Sequence, residues 1–167
     1  MAKITEIMLL EQAEHTALVI ERQGSMSTFS QLIGEGFLKI GTYLNELNKA
    51  PSDIPFVEYP AYNEMTEENI RMVIGFSTTK SLPAKNDIQS IIIPERRIVV
   101  CLHKGSYDEL ADLYNEMAEW IKEQGYTPSG TSIEHYYTGP EVPESEQITR
   151  IVMPLVRGIV PKDGKIL

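Results

Sequence analysis

The chain has 167 residues, one cysteine (Cys101) and a formal net charge of -9, with 24 acidic side chains against 15 Lys and Arg. A lone thiol excludes an internal disulfide, and the acidity, unrelieved by any Lys/Arg-rich run, opposes a phosphate backbone, so no direct nucleic-acid partner is expected. No apolar stretch reaches the roughly 18 residues of a membrane span, and no basic segment followed by an apolar run opens the chain, which leaves a soluble cytoplasmic protein with no membrane partner as the expectation.

From the N-terminus, Ala17 to Arg22 is rich in β-branched and aliphatic residues and stops at Gly24-Ser25, the pattern of a strand running into a turn. A helix is predicted next, with Phe29, Leu32, Ile33, Phe37, Ile40, Leu44 and Leu47 on one stripe. Gly34, Gly36 and Gly41 interrupt it, at up to about 1 kcal/mol each relative to alanine. Either another backbone or a ligand approaches there, or the helix packs closely on a sheet. A hairpin follows, with strands at Phe56 to Tyr62 and Asn69 to Thr78 around a polar bend at Asn63 to Glu68, and Lys80 to Asp87 reads as a surface connection.

The second half has the same order. Ile98 to His103 is a predicted strand ending at Gly105-Ser106, and Ser106 with Glu109 has the spacing of a capping box. Leu110, Leu113, Tyr114, Met117 and Ile121 lie at helical spacing, and Gly125 supplies the stop. A second hairpin spans Thr131 to Thr138 and Gln147 to Val156, around the longer bend at Gly139 to Glu146.

The two halves align without a gap where Ile7 to Met26 is set over Ile88 to Tyr107, at an offset of 81 residues, with Glu14 on Glu95, Val19 on Val100 and Gly24-Ser25 on Gly105-Ser106. The reading is an α+β fold: duplicated strand-helix-strand-strand modules over about 4–79 and 85–156, forming one pseudo-two-fold antiparallel sheet with two main helices. It predicts a single domain over 1–157 and a short tail over 158–167.

One set of residues resembles a known family. His103-Lys104-Gly105-Ser106-Tyr107, the amphipathic helix, Gly125-Tyr126-Thr127-Pro128, Ile133-Glu134-His135-Tyr136 with Gly139-Pro140, and Ile148-Thr149-Arg150-Ile151-Val152-Met153-Pro154 together look like the GyrI-like small-molecule-binding superfamily. That superfamily includes effector-binding domains of multidrug-responsive and AraC-type bacterial transcription regulators, and gyrase-inhibitory proteins. The resemblance implies a ligand cleft on the pseudo-two-fold axis, lined with aromatics and holding a buried acid that attracts lipophilic, cationic aromatic compounds.

The family's acid falls on Glu134, and strand alternation puts Tyr136 on the same face. Glu58 is its counterpart in the first half, with Phe56 and Tyr62 on its face if the strand stays regular through Pro60; Phe37, Tyr43, Tyr59 and Tyr107 are further candidates for the lining. Arg150 stands where relatives often carry a second acid. A plainer arrangement competes with ligand binding, in which Glu134 faces Arg150 and Glu58 faces Arg71 across the two hairpins. The small-molecule reading and two alternatives therefore remain: a GyrI-like hydrolase with Glu134 as general base, or a gyrase-inhibitor-like module with a protein partner. No cofactor or metal is expected, because the chain has no phosphate-cradling glycine motif and Cys101-x-His103 lacks further ligands. Only about a dozen residues precede Glu14 and about a dozen follow Leu155, too few for a helix-turn-helix module, so a stand-alone sensor is the expectation.

Overall fold

The computed structural model describes residues 3–156, and the predicted tail over 158–167 lies outside the described residues. The elements are β1 (Met8–Gln12), β2 (His15–Gly24), α1 (Phe29–Glu46), β3 (Phe56–Tyr59), β4 (Ile70–Thr78), β5 (Gln89–Ile93), β6 (Arg96–Lys104), α2 (Leu110–Glu123), β7 (Ser132–Tyr136) and β8 (Ile148–Pro154). Short 3-10 turns at Tyr62–Glu64, Tyr107–Glu109 and Glu144–Glu146 join them. All eight strands form one antiparallel sheet in the order β1-β6-β8-β7-β3-β4-β2-β5.

This is the predicted α+β class, and the order strand, helix, strand, strand occurs twice. The sheet order mirrors about its central pair, β7 and β3. The end strands are exchanged between halves: Met8 of β1 pairs with Val100 of β6, and Thr16 of β2 with Ile92 of β5.

Register divides the side chains into two faces. Val57 lies beside Ile74 and Glu134, and Glu134 beside Ile151, so these share one face, on which both helices lie. On that face α1 covers Leu18, Ile20, Met72 and Ile74, while α2 covers Val99, Cys101, Ile151 and Met153. The other face carries Ala17, Val19, Phe56, Val100, Ile133 and Val152, all buried in one cluster although neither α1 nor α2 lies there. The sheet curls upon itself over them, and Val73, Ile91 and Ile93 pack against the cluster. With both faces covered, Ala17–Ile20 and Ile98–Cys101 are continuous buried runs rather than alternating ones.

The glycines of α1 resolve in favour of close packing at one position. A Cβ on Gly36 would come within 2.8 Å of Ile74 Cγ2, whereas positions 34 and 41 face open space. In α2 the predicted stripe is the buried one, and the chain leaves the helix through Gly125 at φ +80, a left-handed conformation that favours glycine. The predicted capping box does not form. Neither Ser106 nor Glu109 makes a side-chain cap; the Glu109 carboxylate folds back to within 2.3 Å of where a Cβ on Gly105 would stand. Among the described residues, no helix is long and apolar enough to cross a membrane.

Candidate functional site

The middle of the sheet sets the site. β3 and β7 pair with Val57 opposite Glu134 and Tyr59 opposite Ser132, so alternation points Tyr59, Ser132, Glu134 and Tyr136 toward the helix side. Pro60 ends β3, and Ala61 at φ +50 turns the chain so that Tyr62 leaves the strand and joins this side as well. Facing them are Phe37 from α1, Tyr114 from α2 and Tyr107 from the turn before α2.

Two phenols hold the carboxylate. Tyr136 Oη donates to Glu134 Oε1 at 2.9 Å, and Tyr114 Oη donates to Oε2 at 2.5 Å. The network extends outward, because Tyr59 Oη lies 3.2 Å from that of Tyr136 and Ser132 Oγ lies 3.1 Å from that of Tyr114. Among the described residues Glu134 forms no ion pair. The rings pack edge to face: Phe37 and Tyr107 stand 6.2 and 6.1 Å from Tyr136, and Tyr62 stands 5.3 Å from Tyr114.

Burial dominates the electrostatics. Desolvation raises the Glu134 carboxyl above the ordinary carboxylate range, and the hydrogen bonds from Tyr114 and Tyr136 oppose it without cancelling it. Tyr114, Tyr136 and Tyr59 are pushed well above the usual phenol range, first by desolvation and then by the charge of Glu134, so they remain donors. Glu134 is nonetheless partly accessible to solvent.

The remaining predicted residues divide. Phe37, Tyr62, Tyr107 and Tyr136 gather around Glu134, but Glu58 and Arg150 do not. Glu58 pairs with Ile133, which puts it and Phe56 on the opposite face of the sheet. Neither cross-strand Glu-Arg pair exists: Glu134 is opposite Ile151 and Glu58 opposite Val73, while Arg71 is opposite Gln23. Arg150 lies beside His135, binds Asp53 at 2.5 Å and stacks on the Tyr137 ring. The second bend closes one residue away from the register assumed, which moves Arg150 to the other face, and the first closes two residues away, which puts Val73 rather than Arg71 opposite Glu58.

Tyr43 is also elsewhere; it lies on the buried side of α1 near its C-terminus, with its hydroxyl donated to Pro83 O at 2.8 Å. Trp120 lies apart from the ring cluster, in a concavity of about 400 Å3 with Lys3, Glu6 and Glu116. The participants missed from sequence are Tyr114 and Ser132. Tyr114 falls on the apolar stripe of α2, and the one available signal was its hydroxyl, which a buried position obliges to find a partner.

The model of the GyrI-like small molecule binding domain matches residues 5–156. Among solved structures, the chain of EcmrR in its complex with DNA is 21% identical at a TM-score of 0.73 over 90% of this chain, which spans only 57% of that longer one. The EcmrR C-terminal domain alone gives a TM-score of 0.70 at 21% identity, covering 92% of this chain and 98% of that one. SAV2435 bound to tetraphenylphosphonium is 15% identical, with a TM-score of 0.60 and coverage of 91% and 94%. A hydrolase from Listeria innocua is 9% identical, with a TM-score of 0.69 and coverage of 90% and 92%. At these identities the likeness is one of fold. Comparison with curated protein sequences finds no match. The family match extends over nearly the whole described chain, and the chain belongs to the GyrI-like family.

Proposed function

We propose that this GyrI-like domain binds a lipophilic organic cation between α1 and α2, with Glu134 as the counter-charge, and acts as a sensor of such compounds. The observation that carries the reading is a largely buried carboxylate with no ion-pair partner among the described residues, surrounded by aromatic rings. A buried charge without a partner is costly, and an organic cation relieves that cost while covering apolar surface. The phenol faces add cation-π attraction, about 0.5 to 2 kcal/mol per ring depending on solvent exclusion. Such a cation needs no hydrogen-bond donor, which matches a carboxylate whose two oxygens each already accept one.

Tyr107, the half-exposed ring of the set, covers the outer side of Tyr136. Entry of a ligand therefore requires Tyr107 or Phe37 to turn aside. The tetraphenylphosphonium held by SAV2435 is a cation of this chemical class and the natural first probe. The general-base reading of Glu134 is less well supported: burial raises the carboxyl in the sense a base needs, but both oxygens already accept a phenol hydrogen bond. Isothermal titration with tetraphenylphosphonium tests the proposal: saturable binding that Glu134→Gln weakens tenfold or more is expected, and equal affinity in the variant removes Glu134 from the role.

A further inference from the structure

The face of the sheet opposite Glu134 carries two unlike charges beside one cavity. Glu58 from β3 and Arg96 from the start of β6 both line a cavity of about 240 Å3, together with Pro94, Ser129, Thr131 and Pro154. The two charges feel each other, yet no ion pair joins them. Arg96 donates Nε to Gln12 Oε1 at 2.8 Å, and its two terminal amino groups have no protein partner among the described residues. Glu58 likewise forms no ion pair among them.

The geometry points to a binding site for a small zwitterion of the amino-acid class, its ammonium on Glu58 and its carboxylate on the free end of Arg96. Several features converge on that class. An ion pair that closes on itself leaves no work for a ligand, whereas two charges held apart across a cavity fit a molecule carrying both charges a few bonds apart. A guanidinium presenting its two terminal amino groups matches a carboxylate in the bidentate mode. At about 240 Å3 the cavity is smaller than the roughly 300 to 1,000 Å3 typical of drug-sized ligands, which favours a small ligand over a bulky lipophile of the kind proposed at Glu134. Pro94 and Pro154 give it apolar wall, so a short apolar side chain is favoured, and the Ser129 and Thr131 hydroxyls supply further hydrogen-bonding groups. Desolvation acts on both charges in the sense a missing partner predicts: it raises the Glu58 carboxyl and lowers the Arg96 guanidinium.

The experiment is a two-dimensional amide NMR titration of the whole chain with the free amino acids, with acetate and ethylammonium as single-charge controls. At least one small apolar amino acid is expected to shift the amides of Glu58, Arg96 and Thr131 saturably, with either control at least tenfold weaker. Glu58→Gln and Arg96→Lys should each weaken that amino acid tenfold or more, while Thr131→Phe, which keeps both charges and fills the cavity, should abolish binding. Thermal melts check that each variant is folded. If no amino acid shifts these amides at millimolar concentration, or if Glu58→Gln and Thr131→Phe bind as the parent does, the site is overturned. Glu134→Gln is expected to leave this binding intact, and Glu58→Gln to leave tetraphenylphosphonium affinity intact, so failure at one site is distinguishable from failure at the other.

Discussion

Tyr114 and Glu134 tie the second helix to the centre of the sheet, the phenol of one donating to Oε2 of the other at 2.5 Å. Because that bond stabilises the ionised carboxylate against its burial, it also helps set the pH at which the site carries charge.

Tyr114→Phe should therefore raise the Glu134 pKa further. Hydrogen bonds to charged groups are worth about 1.5 to 3 kcal/mol, and one pH unit corresponds to about 1.4 kcal/mol. Cation affinity should rise with pH as Glu134 ionises, and in Tyr114→Phe the midpoint of that rise should move upward by about one to two units. Tetraphenylphosphonium titrations across a pH series check this; an unmoved midpoint would show that the bond does not tune the acid.

Glu134→Gln separates binding from folding. A carboxyl whose folded-state pKa is raised favours folding below its unfolded value of about 4.5 and loses that contribution as pH rises through the folded value. At neutral pH the ionised group thus opposes folding. Urea denaturation should find the variant as stable as the parent or more so at pH 7, with the advantage fading as pH falls through the folded value and gone below about pH 4.5, even as cation binding is lost.

Arg150→Ala tests the register directly. Arg150 pairs with Asp53 on the far face, so its removal should change tetraphenylphosphonium affinity less than twofold. The loss in stability should be no more than the roughly 0.2 to 1 kcal/mol of an exposed ion pair.

The α1 glycines should give opposite results. Gly34→Ala, exposed and facing open space, should stabilise by up to about 1 kcal/mol through helix propensity. Gly36→Ala must displace Ile74 and should destabilise by about 1 to 3 kcal/mol despite the same propensity gain. Denaturant midpoints of the two variants decide it.

His135 makes the fold acid-sensitive. Burial, with Arg150 nearby, holds its pKa down to about 3 from 6.5. The unfolded chain therefore takes up a proton that the folded one refuses. The contribution is fully present above pH 6.5 and lost progressively between 6.5 and about 3, at up to about 1.4 kcal/mol per pH unit. His135→Leu should flatten that part of the stability profile in denaturation experiments.

The sequence carried the architecture well, because periodicity and turn residues are local: the apolar stripes of both helices, the stops at Gly24, Lys104-Gly105 and Gly125, and the face shared by Glu134 and Tyr136 all follow from near neighbours. Pairing across a hairpin is not local. The bends between β3 and β4 and between β7 and β8 each contain a 3-10 turn, and their closure sets a register that sequence spacing does not determine. Arg150 was misplaced for that reason, whereas Glu58 was misplaced because β3 and β7 pair with Val57, not Glu58, beside Glu134. Tyr114 was hidden differently, since a phenol at a core position of a helix reads as packing until the acid on the neighbouring strand is seen. The capping box failed because Glu109 turns back over Gly105 instead of reaching Ser106.

The exchange of β1 and β5 between halves has a consequence for synthesis. Met8 to Gln12 can find its place only on Arg96 to Lys104, so the first strand made must wait until well over half of the chain has emerged. Met8 and Leu10, still substantially exposed in the finished sheet, are more so in the interim. Nascent chains halted before Arg96 should be the species that chaperones capture, and those halted after Val156 should escape them, because by then each half holds the other's edge.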